Sequence, residues 1–390
     1  MVQSILDTDL YKFSTSNAYF QLYPLAEGTF TFNDRSKEVY DEAFLTELKA
    51  ELARMCSLAL TGDEFDYVCT HVRYISRNYW EWLRGFRFEE DKIDCRLDEE
   101  GHLKIDVTDL LYKVTLYEVP ILATVAELRN RRFKADTAEA LARLDAKIEL
   151  ANREELVFSE FGTRRRFSSE LHEAVVRRLK EACPKYCAGT SNVLYAKMFN
   201  LIPVGTFPHE WMMFHSGVFG YKRANYLGLE DWIAVYDGAL GTALIDTFTT
   251  ASFLRTLTLK QAKLLDGFRQ DSGDEIEIGE MIIARLEEFG IDPKTKLLVF
   301  SNALDFPKYS RIAAYFKGRI KVSAGIGTNL TCDPGIPGYK AANIVMKLSR
   351  CRMSAKDPWE KVIKISDDTG KHMGEDVEFG IATHELHLGA

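Results

Sequence analysis

Three short polar segments hold residue types suited to a polyanionic ligand. They are Phe161-Gly162-Thr163-Arg164-Arg165-Arg166, Gly205-Thr206-Phe207-Pro208-His209-Glu210 and Arg269-Gln270-Asp271-Ser272-Gly273-Asp274. Each follows a short apolar run and precedes a helical pattern. Arginine presents a planar fork of donors that matches phosphate and carboxylate oxygens. A histidine at a helix start can accept a phosphoryl group, and the free N–H groups there stabilise the added charge. Pro208 is expected at the first helical position, with His209 and Glu210 following in the first turn. Asp271 has the chemistry for Mg²⁺ or ribose hydroxyls, since Mg²⁺ takes few carboxylates and keeps substrate oxygens and water.

Each segment also has a plainer reading. His209 could simply cap or pack at its helix start. Ser272 and Glu275 have the spacing of a capping box, so that loop could be no more than a well-capped helix. Three adjacent arginines are often a solvated run, although a preceding barrel strand would turn at least one of them toward the barrel mouth. Gly325-Ile326-Gly327-Thr328 follows an apolar strand, and its glycines would let backbone N–H groups approach a phosphate. There is no Gly-x-x-x-x-Gly-Lys-Ser/Thr, which argues against an ordinary P-loop.

The elements that must position these residues follow a βα rhythm. Apolar runs at 156–160, 186–188, 202–205, 242–246, 267–269, 296–301, 320–324 and 343–348 are expected as strands. Helical patterns fill 168–182, 275–289 and 305–317. Such alternation predicts parallel βα units, and about eight strands predict an irregular barrel, whose chemistry sits at the strands' C-terminal ends. An open doubly wound sheet is the alternative. The first ~115 residues mix types: helices at 41–60 and 63–84, and strands at 92–97 and 102–107 around Asp98-Glu99-Glu100-Gly101. A long helix is expected over 120–152, with a break near 134–136. The domain reading is an N-terminal α/β domain over 1–118, joined by the tail 352–390, and a barrel over 119–351.

Composition sets the outer limits. The 390 residues can bury a large core, and the net charge of −8 argues against a general nucleic-acid binder. Seven cysteines without a CxxC pair fit free thiols in a reducing cytoplasm better than disulfides or a zinc site. No run approaches the ~18 apolar residues of a membrane span. Residues 1–9 lack the basic and apolar regions of a signal peptide.

At this point the chain resembles a family, from end to end. Beside the three segments above, the resemblance rests on Leu6-Asp7-Thr8-Asp9-Leu10-Tyr11-Lys12, Trp82-Leu83-Arg84-Gly85-Phe86-Arg87-Phe88 and Glu118-Val119-Pro120-Ile121-Leu122. It continues through Val322-Ser323-Ala324-Gly325-Ile326-Gly327-Thr328-Asn329-Leu330-Thr331-Cys332-Asp333. These segments resemble the nicotinate phosphoribosyltransferases. The resemblance implies an irregular α/β barrel of the type II phosphoribosyltransferase kind, with an N-terminal α/β domain. It implies nicotinate mononucleotide and pyrophosphate made from nicotinate and phosphoribosyl pyrophosphate, in NAD synthesis. Mg²⁺ is implied, with ATP as co-substrate hydrolysed through a phosphohistidine at His209. It also implies a homodimer with composite sites.

By the same resemblance, Phe161 and Tyr11 from a neighbouring subunit would sandwich the pyridine ring, with Arg164 and Arg269 lining its pocket. Asp246 and Asp271 would serve the metal, the phosphates or the ribosyl centre. Asn302, Ser272 and Gly273 would meet ribose or phosphate, Gly325, Gly327 and Thr328 the 5′-phosphate, and Arg35 phosphates across the dimer. Ala324 stands where many relatives carry phenylalanine, and Asn302 where some carry Asp. Ser191, after Ala188-Gly189-Thr190, stands where nicotinamide-using relatives carry Asp. An Asp there would accept from an amide and repel a carboxylate. Ser191 therefore favours the acid over the nicotinamide-using alternative. A quinolinate enzyme of the same architecture would want more cations around the ring. A non-catalytic binding protein would not need His209, Asp271 and Arg269 together.

Overall fold

In the computed structural model, residues 1–368 and 374–388 are described. The strands are β1 (Glu27–Asp34), β2 (Ile93–Leu97), β3 (Leu103–Leu110), β4 (Phe158–Glu160), β5 (Cys187–Thr190), β6 (Thr242–Leu244), β7 (Gly267–Gln270), β8 (Leu297–Phe300), β9 (Lys321–Ile326), β10 (Ile344–Arg352) and β11 (Glu360–Lys361). The fold is α/β, with parallel βα units of an irregular barrel type and a separate antiparallel sheet. The chain forms two compact units that interleave along the sequence. One comprises Met1–Asn17, Thr29–Gly205 and Ile326–Lys347; the other comprises Ala18–Gly28, Thr206–Gly325 and the described residues from Leu348 onward.

In the first unit, β2 and β3 form an antiparallel hairpin in register from Ile93↔Val107 to Leu97↔Leu103. Its turn needs Gly101, whose φ is +81° and where a Cβ would come within 2.9 Å of Val39. Alternate residues Leu103, Ile105 and Val107 are buried, the period-2 pattern of a strand with one wet face. The helix Glu118–Asn130 is buried along its whole length. Pro120 is tolerated in its first turn because the N–H it lacks would have no helical partner. β4 and β5 pair in parallel.

In the second unit, β6, β7, β8 and β9 are neighbours in parallel register, Thr242↔Gly267, Gly267↔Leu297 and Leu297↔Lys321. Ala243, Leu244, Phe268, Leu298 and Phe300 are all buried. Such continuous apolar runs suit strands covered on both faces. Helices Glu275–Glu288 and Phe306–Phe316 supply two of the crossovers. They approach closely because Gly279 has no side chain; a Cβ there would lie 2.2 Å from the Phe316 ring.

Two of the eight expected parallel strands are different. The 202–205 run contributes only an isolated parallel bridge, Thr190↔Pro203, since Pro203 has no N–H to continue a ladder. The 343–348 run is a strand, but as β10 it pairs antiparallel with β11. Its buried residues alternate, Ile344, Met346, Leu348, which marks a half-covered strand rather than a barrel strand. The single helix expected over 63–84 is two, and the pattern over 120–152 breaks near 134–136 as expected. The first divides into Gly62–His71 and Arg77–Gly85, with Ser76 capping the second; the other divides into Glu118–Asn130 and Thr137–Arg153, with Asp136 as cap.

Candidate active site

One polar cluster lies wholly within the second unit, at the C-terminal ends of β6, β7 and β8. Helix His209–Phe219 begins beside it. Pro208 has extended backbone (ψ 166°) and is the N-cap, so His209, not Pro208, is the first helical residue. His209 is 4% exposed. Its Nδ1 lies 3.0 Å from Thr247 Oγ1, and its Nε2 lies 3.2 Å from Asp271 Oδ2 and 2.9 Å from Lys364 Nζ.

Asp271 immediately follows β7, and Arg269 lies within that strand. The Arg269 guanidinium donates to Thr206 Oγ1 (2.8 Å) and Ser301 Oγ (3.0 Å), and its Nη2 lies 3.6 Å from Asp271 Oδ1. Ser301, just past β8, donates to Asp271 Oδ1 at 2.8 Å. Burial opposes ionisation of Asp271, but Arg269, the His209 hydrogen bond and Lys364 outweigh it and hold the carboxyl well below the usual range. Asp271 is thus an anion poised on the histidine.

Asp246 lies two residues beyond β6 and is fully buried. Its Oδ2 accepts from the Ser272 hydroxyl and lies 3.8 Å from Lys364 Nζ. Its Oδ1 has no hydrogen-bond partner among the described residues. Burial, with the nearby Asp271 charge, pushes Asp246 up to about 6 despite Lys364. The expected capping box is not formed. Asp274 caps the helix instead, accepting from Ile276 and Glu277 N–H. The helix begins at Glu275, so Asp274 rather than Ser272 holds the N-cap position, and Ser272 is left for Asp246 and for the Asp367 N–H, at 3.0 Å. Gly273 has φ +78°, a Cβ there would meet Asp367, and its N–H donates to Asp368 Oδ1.

These residues fit Mg²⁺ brought by a substrate. No group of three or more metal-ligating side chains occurs among the described residues. A pair of carboxylates, one with an unpartnered buried oxygen, is the sparse donor set Mg²⁺ uses with phosphates and water.

A second cluster lies wholly within the first unit. The Glu160 carboxylate accepts from the Gly162 N–H and from Thr190 Oγ1 (2.5 Å), and lies 3.1 Å from His172 Nε2. This ties the loop carrying Phe161 to the end of β5, where Ser191 follows. The three arginines part company. Arg166 is fully buried in a bidentate pair with Asp7 (2.7 and 3.0 Å), which also accepts from Asn192. It is structural. Arg164 stays one-third exposed, 3.9 Å from Asp9 Oδ2 and 3.7 Å from Glu118 Oε1. Ser191, 4% exposed, donates to Asp9 Oδ1 at 2.7 Å. Burial pushes Asp9 up, against Arg164 and Ser191. Lys12, Lys347 and Arg164 surround Glu118 and bring it down to about 2 in spite of burial.

Of the other expected residues, Tyr11 lies in the helix Leu10–Leu22, Arg35 is exposed just past β1, and Asn302 follows Ser301 past β8. Gly325 lies within β9. A Cβ on Gly327 would sit 3.1 Å from the Phe161 carbonyl, and Thr328 opens a four-residue helix. His215, the other histidine of its helix, is sealed: Nδ1 meets the Trp211 carbonyl and Nε2 meets Asp231. Thr247, Ser301 and Lys364 were not foreseen. Lys364 carried a signal, a lone cation in the apolar run Val362-Ile363-Lys364-Ile365, of which the three apolar residues are buried.

The sequence matches the nicotinate phosphoribosyltransferase (NAPRTase) family over residues 156–388 and that family's N-terminal domain over residues 6–126. It is 37% identical to a nicotinate phosphoribosyltransferase of Desulforapulum autotrophicum, covering 100% of both chains. It is 40% identical to one of Ectopseudomonas mendocina, covering 97% of this chain and 95% of that one. Its structure is similar to that of nicotinate phosphoribosyltransferase from Porphyromonas gingivalis, with TM-score 0.98, 43% identity and all of both chains covered. The Vibrio cholerae enzyme's structure gives TM-score 0.94 at 31% identity, covering 100% of this chain and 95% of that one.

Proposed function

The chain belongs to the nicotinate phosphoribosyltransferase family, and from that premise we propose that it joins nicotinate to phosphoribosyl pyrophosphate. The products are nicotinate mononucleotide and pyrophosphate, an entry into NAD synthesis. ATP hydrolysis is coupled to the reaction through a phosphohistidine at His209. The observation that carries the coupling is the His209–Asp271 pair at the start of a helix, with Arg269 and Lys364 beside it.

In the coupling step the bond from the γ-phosphorus to the ADP oxygen breaks and a P–N bond to His209 forms. Asp271 orients the ring through Nε2 and balances the charge it gains, and the helix start favours the added anion. In the transfer step positive charge grows on the ribosyl carbon and negative charge on departing pyrophosphate. Asp246 and Asp271 suit the first, and Arg269 suits the second. These two aspartates would hold Mg²⁺, which would supply Lewis-acid stabilisation of the phosphate oxygens.

Phe161 and a partner copy's tyrosine at position 11 would hold the pyridine ring, which removes the orientational cost of attack. Arg164 would pair with the ring carboxylate. Ser191 brings no charge of its own and already donates to Asp9, so selection for the acid falls mainly on Arg164 and on the absence of an acid at 191. Asn302, Ser272, Gly273, Gly325, Gly327, Thr328 and Arg35 remain the proposed ribose and phosphate contacts. The working form is a cytoplasmic homodimer with composite sites. No helix among the described residues is long and apolar enough to cross a membrane.

The test uses γ-labelled ATP. Acid-labile label should appear on the protein and vanish in His209→Ala, with the melting curve retained. Label surviving that substitution would move the acceptor elsewhere, and the sealed His215 would be an implausible heir.

A further inference from the structure

We propose that Lys364 is the resident counter-cation of the Asp246–Asp271 pair and competes with a divalent cation for it. This rests on the reading that these two aspartates hold Mg²⁺, and adds how the site behaves before substrate arrives. The Lys364 ammonium lies 3.8 Å from Asp246 Oδ2 and 2.9 Å from His209 Nε2, which itself lies 3.2 Å from Asp271 Oδ2. It therefore stands among all three groups.

Asp246 calls for such a cation. It is fully buried, and its Oδ1 has no hydrogen-bond partner among the described residues. A buried carboxylate of this kind is costly unless a positive charge is near. Arg269 is committed to Thr206, Ser301 and Asp271. Asp367 adds a further acid, but it is engaged by the Thr250 N–H and hydroxyl. Lys364 is thus placed to neutralise the pair.

The lysine is also built to withdraw. Its backbone neighbours are fixed, Val362 N–H to the Ser349 carbonyl and Ile365 N–H to the Thr247 carbonyl. Its head is a compact charge on a flexible four-carbon stem, with 13% of the side chain exposed. A free divalent ion must displace or repel this ammonium. A metal arriving on a polyphosphate brings oxygens to which the ammonium can turn. Lys364 thereby biases the site toward metal–phosphate complexes over the bare metal.

Mn²⁺ titration of the full-length protein without nucleotide, read by electron paramagnetic resonance and by thermal melting, tests this. Lys364→Met and Lys364→Gln should bind Mn²⁺ at least about tenfold more tightly than wild type, because a like charge has left. Their melting temperatures should rise more on adding Mn²⁺, and Lys364→Arg should restore weak binding. Asp246→Asn in the Lys364→Met chain should abolish the gain. Equal Mn²⁺ affinity with and without Lys364, still dependent on Asp246, overturns the inference alone. Binding indifferent to Asp246 overturns the metal reading and the inference with it.

Discussion

Replacing Ser191 by aspartate would put two carboxylates face to face. Ser191 Oγ donates to Asp9 Oδ1 at 2.7 Å, and the two residues are 4% and 2% exposed. A carboxylate at 191 would stand about 4 Å from that of Asp9. At an effective dielectric constant of about 20, two unit charges at that distance repel by about 4 kcal/mol. The lost hydrogen bond leaves a buried acceptor unsatisfied, which on its own costs about 1–3 kcal/mol. Ser191→Ala suffers only the second effect and is the control.

The repulsion should also depend on pH. Burial already raises the Asp9 pKa in the folded chain. A carboxyl whose folded pKa is raised costs stability above its unfolded pKa, and that cost fades as pH falls through the folded pKa. A second acid raises it further. The melting deficit of Ser191→Asp should therefore be largest near pH 8 and shrink toward pH 5, while that of Ser191→Ala, which loses one hydrogen bond favouring the Asp9 anion, should change in the same direction but by less. At neutral pH, kcat/KM for nicotinate should fall in the aspartate variant. Wild-type melting at pH 8 together with undiminished use of nicotinate would refute the geometry from which this is argued.

Asp7→Ala should lower stability by about 3 kcal/mol in denaturant titration, since it removes the bidentate partner of the fully buried Arg166 and leaves it only the Glu127 carboxylate, 3.5 Å from its Nε. Asp7 titrates low in the folded chain, so its contribution is present at neutral pH and is lost on acidification; the Asp7→Ala deficit should narrow as pH drops. Chelation of divalent ions should abolish mononucleotide formation with little change in circular dichroism. Tyr11→Ala and His209→Ala chains, nearly inactive alone, should recover about half the wild-type rate per heterodimer once mixed, if the two sites act independently; no recovery despite subunit exchange would place each site within one chain.

Much of this arrangement could be read from residue order because it is local. A proline before His209, an acid after it and a strand carrying Arg269 near its end set the helix start and the loop without long-range help. The parallel strands were legible as short apolar runs. What periodicity could not show was which sheet a run joins. The 343–348 run has the apolar content of a barrel strand, but it pairs antiparallel with β11 and its burial alternates. The capping box failed for a related reason: Ser272 and Asp274 both suit an N-cap, and tertiary contact with Asp246 decides between them. Arg164, Arg165 and Arg166 look alike in sequence. Their fates diverge because Asp7, 159 residues away in the chain, takes Arg166. Lys364 joins His209 across a separation of 155 residues, which no local pattern encodes.

The most direct measurement supplies the protein with phosphoribosyl pyrophosphate and Mg²⁺ and offers nicotinate or nicotinamide, each with and without ATP, separating the products by chromatography. Nicotinate mononucleotide should form, faster with ATP, and the stimulation by ATP should be absent in His209→Ala. Nicotinamide mononucleotide as the preferred product, or no mononucleotide from either base, would contradict the account.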